Sequence, residues 1–150
     1  FWFKFRHPFW HANKFYIVTF IYRLPSYFVI DFNRYNFTFV GNKPDDIYYK
    51  NISCLPPKTS QEISKHLNDT DIFVSATIDD CCSNSIIEAL TCNIPVLAKD
   101  SGGNPELVNN GGLLFKGLEE FLKNIEILQS NLDFYKKMLY IKGIYNIYSR

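Results

Sequence analysis

The chain has four cysteines, Cys54, Cys81, Cys82 and Cys92, yet no C-x-x-C pair. Adjacent Cys81 and Cys82 suit neither a zinc site nor a disulfide framework, so all four read as reduced thiols of a cytosolic protein. His7, His11 and His66 lack metal-ligand spacing, and neither G-x-x-x-x-G-K-[ST] nor G-x-G-x-x-G occurs. Ser, His and Asp are all present, but a nucleophile elbow is not. Net charge is nearly absent too, at +1, which gives no reason to expect nucleic acid or an acidic membrane surface as partner. No apolar run approaches the roughly 20 residues of a membrane span. The longest is FYIVTFIY (15–22), closely followed by Arg23 and Pro25, and it reads as a buried element. The opening FWFKFRHPFW has no initiator Met and no signal-peptide pattern, and it reads as the start of an excerpt from a larger protein. Repeats, low-complexity tracts and linkers are missing as well.

What is present is apolar enough to fold, with 47% hydrophobic and 17% aromatic residues. At 150 residues the chain suits one core and is too short for two ordinary domains, so 1–150 is read as a single domain, poorly defined over 1–35. The sequons at Asn36, Asn51 and Asn68 are expected by chance in an Asn-rich sequence.

Apolar runs alternate with helical patterns, which predicts βα units and a mostly parallel sheet. FTFV (37–40) is a strand ended by Gly41-Asn42, and ISCL (52–55) is another, stopped by Pro56-Pro57. TSQEISKHLN (59–68) is a helix opened by a capping box of Thr59 and Glu62. Strand DIFVSA (71–76), a helix over about 83–92 and strand PVLA (95–98) follow. Asn104 is expected to cap a helix whose first position is Pro105. GLLF (112–115) is the last strand, before helices over 118–128 and 132–139.

Loops leaving the carboxyl ends of parallel strands share one rim, where ligands bind. Three such loops carry unusual residues: Gly41-Asn42, residues 80–84, and Ser101-Gly102-Gly103-Asn104. They are expected to meet in space. In SGGNPE the glycines permit close backbone approach or positive φ, and a helix start directs N–H groups to the same place. A simple tight turn is an equal reading of those glycines. In SNSIIEAL the plainer reading is a capping box of Ser85 and Glu88 with a polar stripe of Asn84, Glu88 and Thr91; the other is a helix amino end offered to a phosphate. DTD (69–71) precedes a strand rather than following one, so it reads as a chance match to metal-binding D-x-D.

From about 37 to 115 this order of motifs resembles the carboxy-terminal, donor-binding half of retaining glycosyltransferases with the GT-B fold, of the family-4-like, glycosyl transferases group 1 type. The motifs are DIFVSA, Asp80, EAL from Glu88, IPVLA, GGNPELV and GGLLF. The resemblance implies a Rossmann-like three-layer α/β/α fold, one half of a GT-B protein. It also implies transfer of a sugar, of hexosyltransferase type, from a nucleoside-diphosphate sugar with retention of configuration, without metal or other cofactor. Asp80 takes the sugar-hydroxyl role, where the family usually has Glu, and Glu88 holds the ribose. Ser83 and Asn84 offer backbone amides to the diphosphate, while Gly102, Gly103 and Asn104 match the loop that approaches sugar and phosphate, with Gly41 on the same rim. WHANKFY loosely resembles a W-x-x-N-x-x-K-G pattern and makes Lys14 the cation expected at the diphosphate, with Lys43 and Lys99 as fallbacks. The acceptor would bind an amino-terminal half that this chain lacks or a partner supplies, with no transmembrane segment and no nucleic acid. The alternatives are a non-catalytic, nucleotide-sugar-binding or protein-interaction remnant, and, more remotely, a sugar-nucleotide epimerase.

Overall fold

Short β-branched and aromatic runs, each closed by a turn former, build the sheet, and amphipathic patterns between them build the crossovers. The computed structural model describes residues 2–6, 14–18, 35–41 and 52–148, with side chains over 35–41 and 52–141. Its strands are β1 (Trp2–Arg6), β2 (Lys14–Val18), β3 (Asn36–Val40), β4 (Ile52–Leu55), β5 (Ile72–Ser75), β6 (Val96–Lys99) and β7 (Gly112–Phe115). Helices are α1 (Ser60–Asn68), α2 (Asn84–Thr91), α3 (Asn104–Val108), α4 (Leu118–Ser130) and α5 (Leu132–Tyr148). Every strand and helix expected from residue 37 onward is present within a few residues of its expected ends, except that α5 runs on to Tyr148 where its expected end is 139. Of the apolar run 15–22, residues 15–18 belong to β2, and 19–22 lie outside the described residues.

The seven strands lie in the order β4-β3-β1-β2-β5-β6-β7. Neighbours β3/β4, β2/β5, β5/β6 and β6/β7 are parallel. The exception is β1, antiparallel to β2 and β3 and lying between them, although Lys14 still pairs in parallel with Asn36. β2, β3 and β4 extend toward one edge and β5, β6 and β7 toward the other. The order therefore reverses between β2 and β5, and a crevice at the carboxyl ends of those two strands is the binding position of such sheets.

Alternation along the strands assigns two cores. Ile72, Val74, Leu97 and Phe115 face α4 and pack with Phe121, Ile125 and Leu128. Phe73, Val96 and Ala98 face the other way, against Leu67 of α1, Ile86 and Ala89 of α2, and Val108 of α3. Three layers result. An ion pair between Lys136 and Asp71 (3.5 Å) ties α5 to the start of β5, and Thr70 donates to the His66 carbonyl (2.8 Å). DTD is thus the join between α1 and β5, at the rim opposite the strand exits. Among the described residues no helix is long and apolar enough to cross a membrane.

The capping box that opens α1 is complete. The Glu62 amide donates to Thr59 Oγ1 (3.3 Å), the Thr59 amide donates to Glu62 Oε2 (3.0 Å), and Lys58 adds a 3.1 Å ion pair. The Thr59 backbone bond, aided by Lys58 and the Thr59 hydroxyl, holds the Glu62 carboxyl down from its ordinary 4.5 to about 2. A depressed carboxylate contributes stability that is fully present above the unfolded value and is lost as pH falls through the folded one. Glu62→Gln is therefore expected to lower Tm at neutral pH. The gap to the unsubstituted protein should narrow below about pH 4.5 and close near pH 2 in a calorimetric series, as set by the same shift. A gap independent of pH would remove the carboxylate from this account.

Candidate functional site

The loop after β5 (76–83) and the loop after β6 (100–103) leave adjacent parallel strands at the same rim, and they are joined directly. The Gly103 amide donates to the Asp80 carbonyl at 2.9 Å. A Cβ on Gly103 would stand 2.1 Å from the Cys81 carbonyl oxygen, and one on Gly102 2.4 Å from that of Asp80. Gly102 also has φ +57°, in the left-handed region. The glycines thus serve an approach of one loop to the other, where the sequence suggested an approach of backbone to ligand. The Gly103 amide, expected to be available to a donor, is already engaged within the protein.

A second lace lies beside the first. Ser101 Oγ accepts from the Asp79 amide (3.1 Å) and donates to the Asp79 carboxylate (3.2 Å), with Asp79 itself at φ +57°. Asp80 is half-buried, and its Oδ1 accepts from the Cys82 amide at 3.0 Å, a tight Asx turn. That turn directs the chain into α2.

The expected capping box of Ser85 and Glu88 is not formed. Ser83 occupies the cap position without a side-chain cap bond, and its hydroxyl pairs with that of Ser85 at 2.9 Å. Two neighbouring hydroxyls satisfy each other, so neither reaches back to the helix amides. The first turn of α2 holds no acidic residue, leaving its amides and partial positive charge unneutralised by side chains at the rim. Glu88 lies one turn along, exposed, its carboxylate with no hydrogen bond or ion pair among the described residues, and shares an exposed face with Asn84 and Thr91.

Asn104 also departs from expectation. Gly103 takes the cap position of α3 and Asn104 is its first helical residue, fully buried. Its Nδ2 donates to the carbonyls of Lys99 (3.0 Å) and Thr77 (3.3 Å) instead of its side chain capping the helix. The reason is position: Asn104 is already inside the helix, and its side chain lies against the two strand exits, where the Lys99 carbonyl also accepts from the Ser101 amide (2.9 Å). Beneath them Ser75 and Thr77 share a buried hydroxyl bond of 3.0 Å. Sequence reasoning assigns Ser75 and Thr77 no role and Ser101 none beyond membership of its loop, because a small polar residue at a strand end has no periodicity to betray it.

Lys99 is unsuited to the cation role. Its amine donates to the Lys116 carbonyl and lies 5.8 Å from the centre of the Phe115 ring, on the α4 side of the sheet. Lys14 is the first residue of β2, and the next residue, Phe15, pairs with Ile72 at the start of β5. That register puts Lys14 at the opposite rim from Asp80, a strand's length away, which corrects its assignment to the diphosphate. Its side chain, Asn42 and Lys43 lie outside the described residues. Gly41 follows β3, with φ +146° and its amide bonded to the Leu55 carbonyl at 2.9 Å. It is on the correct rim, but β1 and β2 separate it from β5, by roughly 14 Å at the usual strand spacing.

The two joined loops and α2 therefore form one surface at the sheet's switch point, with a carboxylate on each side of a helix amino end. A sequence profile described as glycosyl transferases group 1 matches residues 20–131, a span that contains all three. No curated protein matches the chain.

Proposed function

The chain belongs to the glycosyl transferases group 1 family, and from that premise we propose that it is the donor domain of a retaining, metal-independent transferase using a nucleoside-diphosphate sugar. The observation that carries this reading is the bond from Gly103 to Asp80, which makes two distant loops one wall beside the amino end of α2. Asp80 faces the sugar and Glu88 the ribose, each carboxylate accepting from hydroxyls. The diphosphate lies at the start of α2, where the amides of Ser83 and Asn84 and the helix dipole offset the charge that builds on the leaving phosphate as the anomeric C–O bond breaks. The acceptor binds an amino-terminal half outside this chain or supplied by a partner. Free thiols at Cys81 and Cys82 on the site loop favour a reducing, cytoplasmic setting.

Calorimetric titration with UDP-, GDP- and ADP-sugars tests the reading. Hydrogen bonds to a charged group contribute about 1.5–3 kcal/mol, so Glu88→Ala is expected to weaken the bound donor roughly 10- to 100-fold. Asp80→Asn keeps its Oδ1 for the Cys82 amide and is expected to weaken the donor less. Unchanged affinity in both variants would refute the assignment. It would favour the second reading, a non-catalytic remnant, which has its own support: the Asp80 turn and the Gly103 amide are already engaged without a ligand.

A further inference from the structure

Asn104 has a geometry that a plain structural residue does not need. Its side chain is wholly buried, and Nδ2 donates to the backbone carbonyls of Lys99 (3.0 Å) and Thr77 (3.3 Å), with the Thr77 hydroxyl oxygen also within 3.5 Å. Carbonyls only accept, so the amide orientation is determined: nitrogen faces the two strand exits and oxygen faces away. That oxygen is buried with no hydrogen-bond partner among the described residues. A buried unpaired acceptor costs about 1–3 kcal/mol. An apolar side chain would avoid that cost but would supply no donor to the carbonyls.

We propose that Asn104 is a positioning residue that fixes the sugar-side wall of the donor site by bridging the exits of β5 and β6. The bridge acts where the strands stop holding each other. The last pairing between β5 and β6 joins Ser75 and Ala98. Beyond it the two chains diverge, one toward Asp80 and the other toward Gly103. The Asn104 amide fork spans the gap, and the residue immediately before it, Gly103, donates to Asp80. Register set at Asn104 is thereby passed to the Asp80 carboxylate. The amino end of α2 and Glu88 rest on other contacts, through Ile86 and Ala89 to Phe73.

This inference rests on the donor reading above, and its two parts are tested separately. Asn104→Asp keeps the shape but sets an acceptor against the Lys99 and Thr77 carbonyls. In the ligand-free chain, hydrogen exchange at the Gly103 amide is expected to rise at least 10-fold. Unchanged exchange would overturn the positioning role. In the binding arm, Asn104→Asp is expected to weaken the best-bound nucleotide sugar at least 10-fold and its nucleoside monophosphate, which lacks the sugar, less than 3-fold. Equal losses for the two ligands, or none, would overturn the link to the sugar side. A wild-type chain that binds no nucleotide sugar would overturn the donor reading, with the exchange result still deciding the positioning role. If Asn104→Asp does not fold, Asn104→Ser carries both comparisons, since it shortens the bridge without adding charge.

Discussion

Gly103→Ala is expected to separate the two site loops and to lower stability by about 3 kcal/mol or more, toward the upper end of overpacking costs. The added methyl would sit 2.1 Å from the Cys81 carbonyl oxygen and 2.9 Å from its carbon. Both atoms are backbone, so no rotamer change relieves the clash. The loop must retreat by about 1 Å to reach an ordinary contact, which stretches the 2.9 Å bond from Gly103 to Asp80 beyond hydrogen-bond range. A fall in Tm of roughly 6–12 °C corresponds to that loss for a chain of this size. Calorimetry reads the stability, and donor titration of the still-folded fraction reads the site. Gly117→Ala is the control, because nothing lies within 4 Å of its new methyl. Should Gly103→Ala match that control in both measurements, the loops are not joined as described.

Phe73→Ala should cost still more, about 3–5 kcal/mol, the range for truncating a buried aromatic. Phe73 is fully buried on β5 and lies between the helices: Leu67 of α1, Ile86 and Ala89 of α2, and Val108 of α3 share its cluster. Removing the ring leaves a cavity beneath α2, whose amino end faces the site. Guanidinium unfolding is expected to show a lower midpoint with an unchanged slope, and donor affinity should fall in the folded protein as α2 loosens. A loss below 1 kcal/mol would mean that Phe73 is not the support of that helix.

Legibility in the sequence follows how local each signal is. The capping box at Thr59 and Glu62 involves residues three apart, and it forms with both bonds present. Strands such as ISCL and GLLF, bounded by Pro56 and by Gly112, keep their expected ends. By contrast, two capping assignments fail. Ser85 and Asn104 both have helix-starting chemistry, but the partners that win are a neighbouring hydroxyl in one case and carbonyls from other strand exits in the other. The cation assignment fails for a similar reason. Lys14 and Lys99 stand beside suggestive neighbours in the chain, whereas strand register and side-chain facing decide which rim or layer they occupy.

Alternating apolar runs and turn formers were enough to determine the α/β class and the element sequence from residue 37 onward, because each depends on residues only a few positions apart, and the order of those motifs was enough for the family. Tertiary structure alone decided that the glycine pair serves the loop carrying Asp80, that Asn104 is a buried bridge, and that Lys14 lies at the far rim. Those outcomes depend on which strands become neighbours and which backbone groups meet where they diverge. Spacing along a chain carries no record of either.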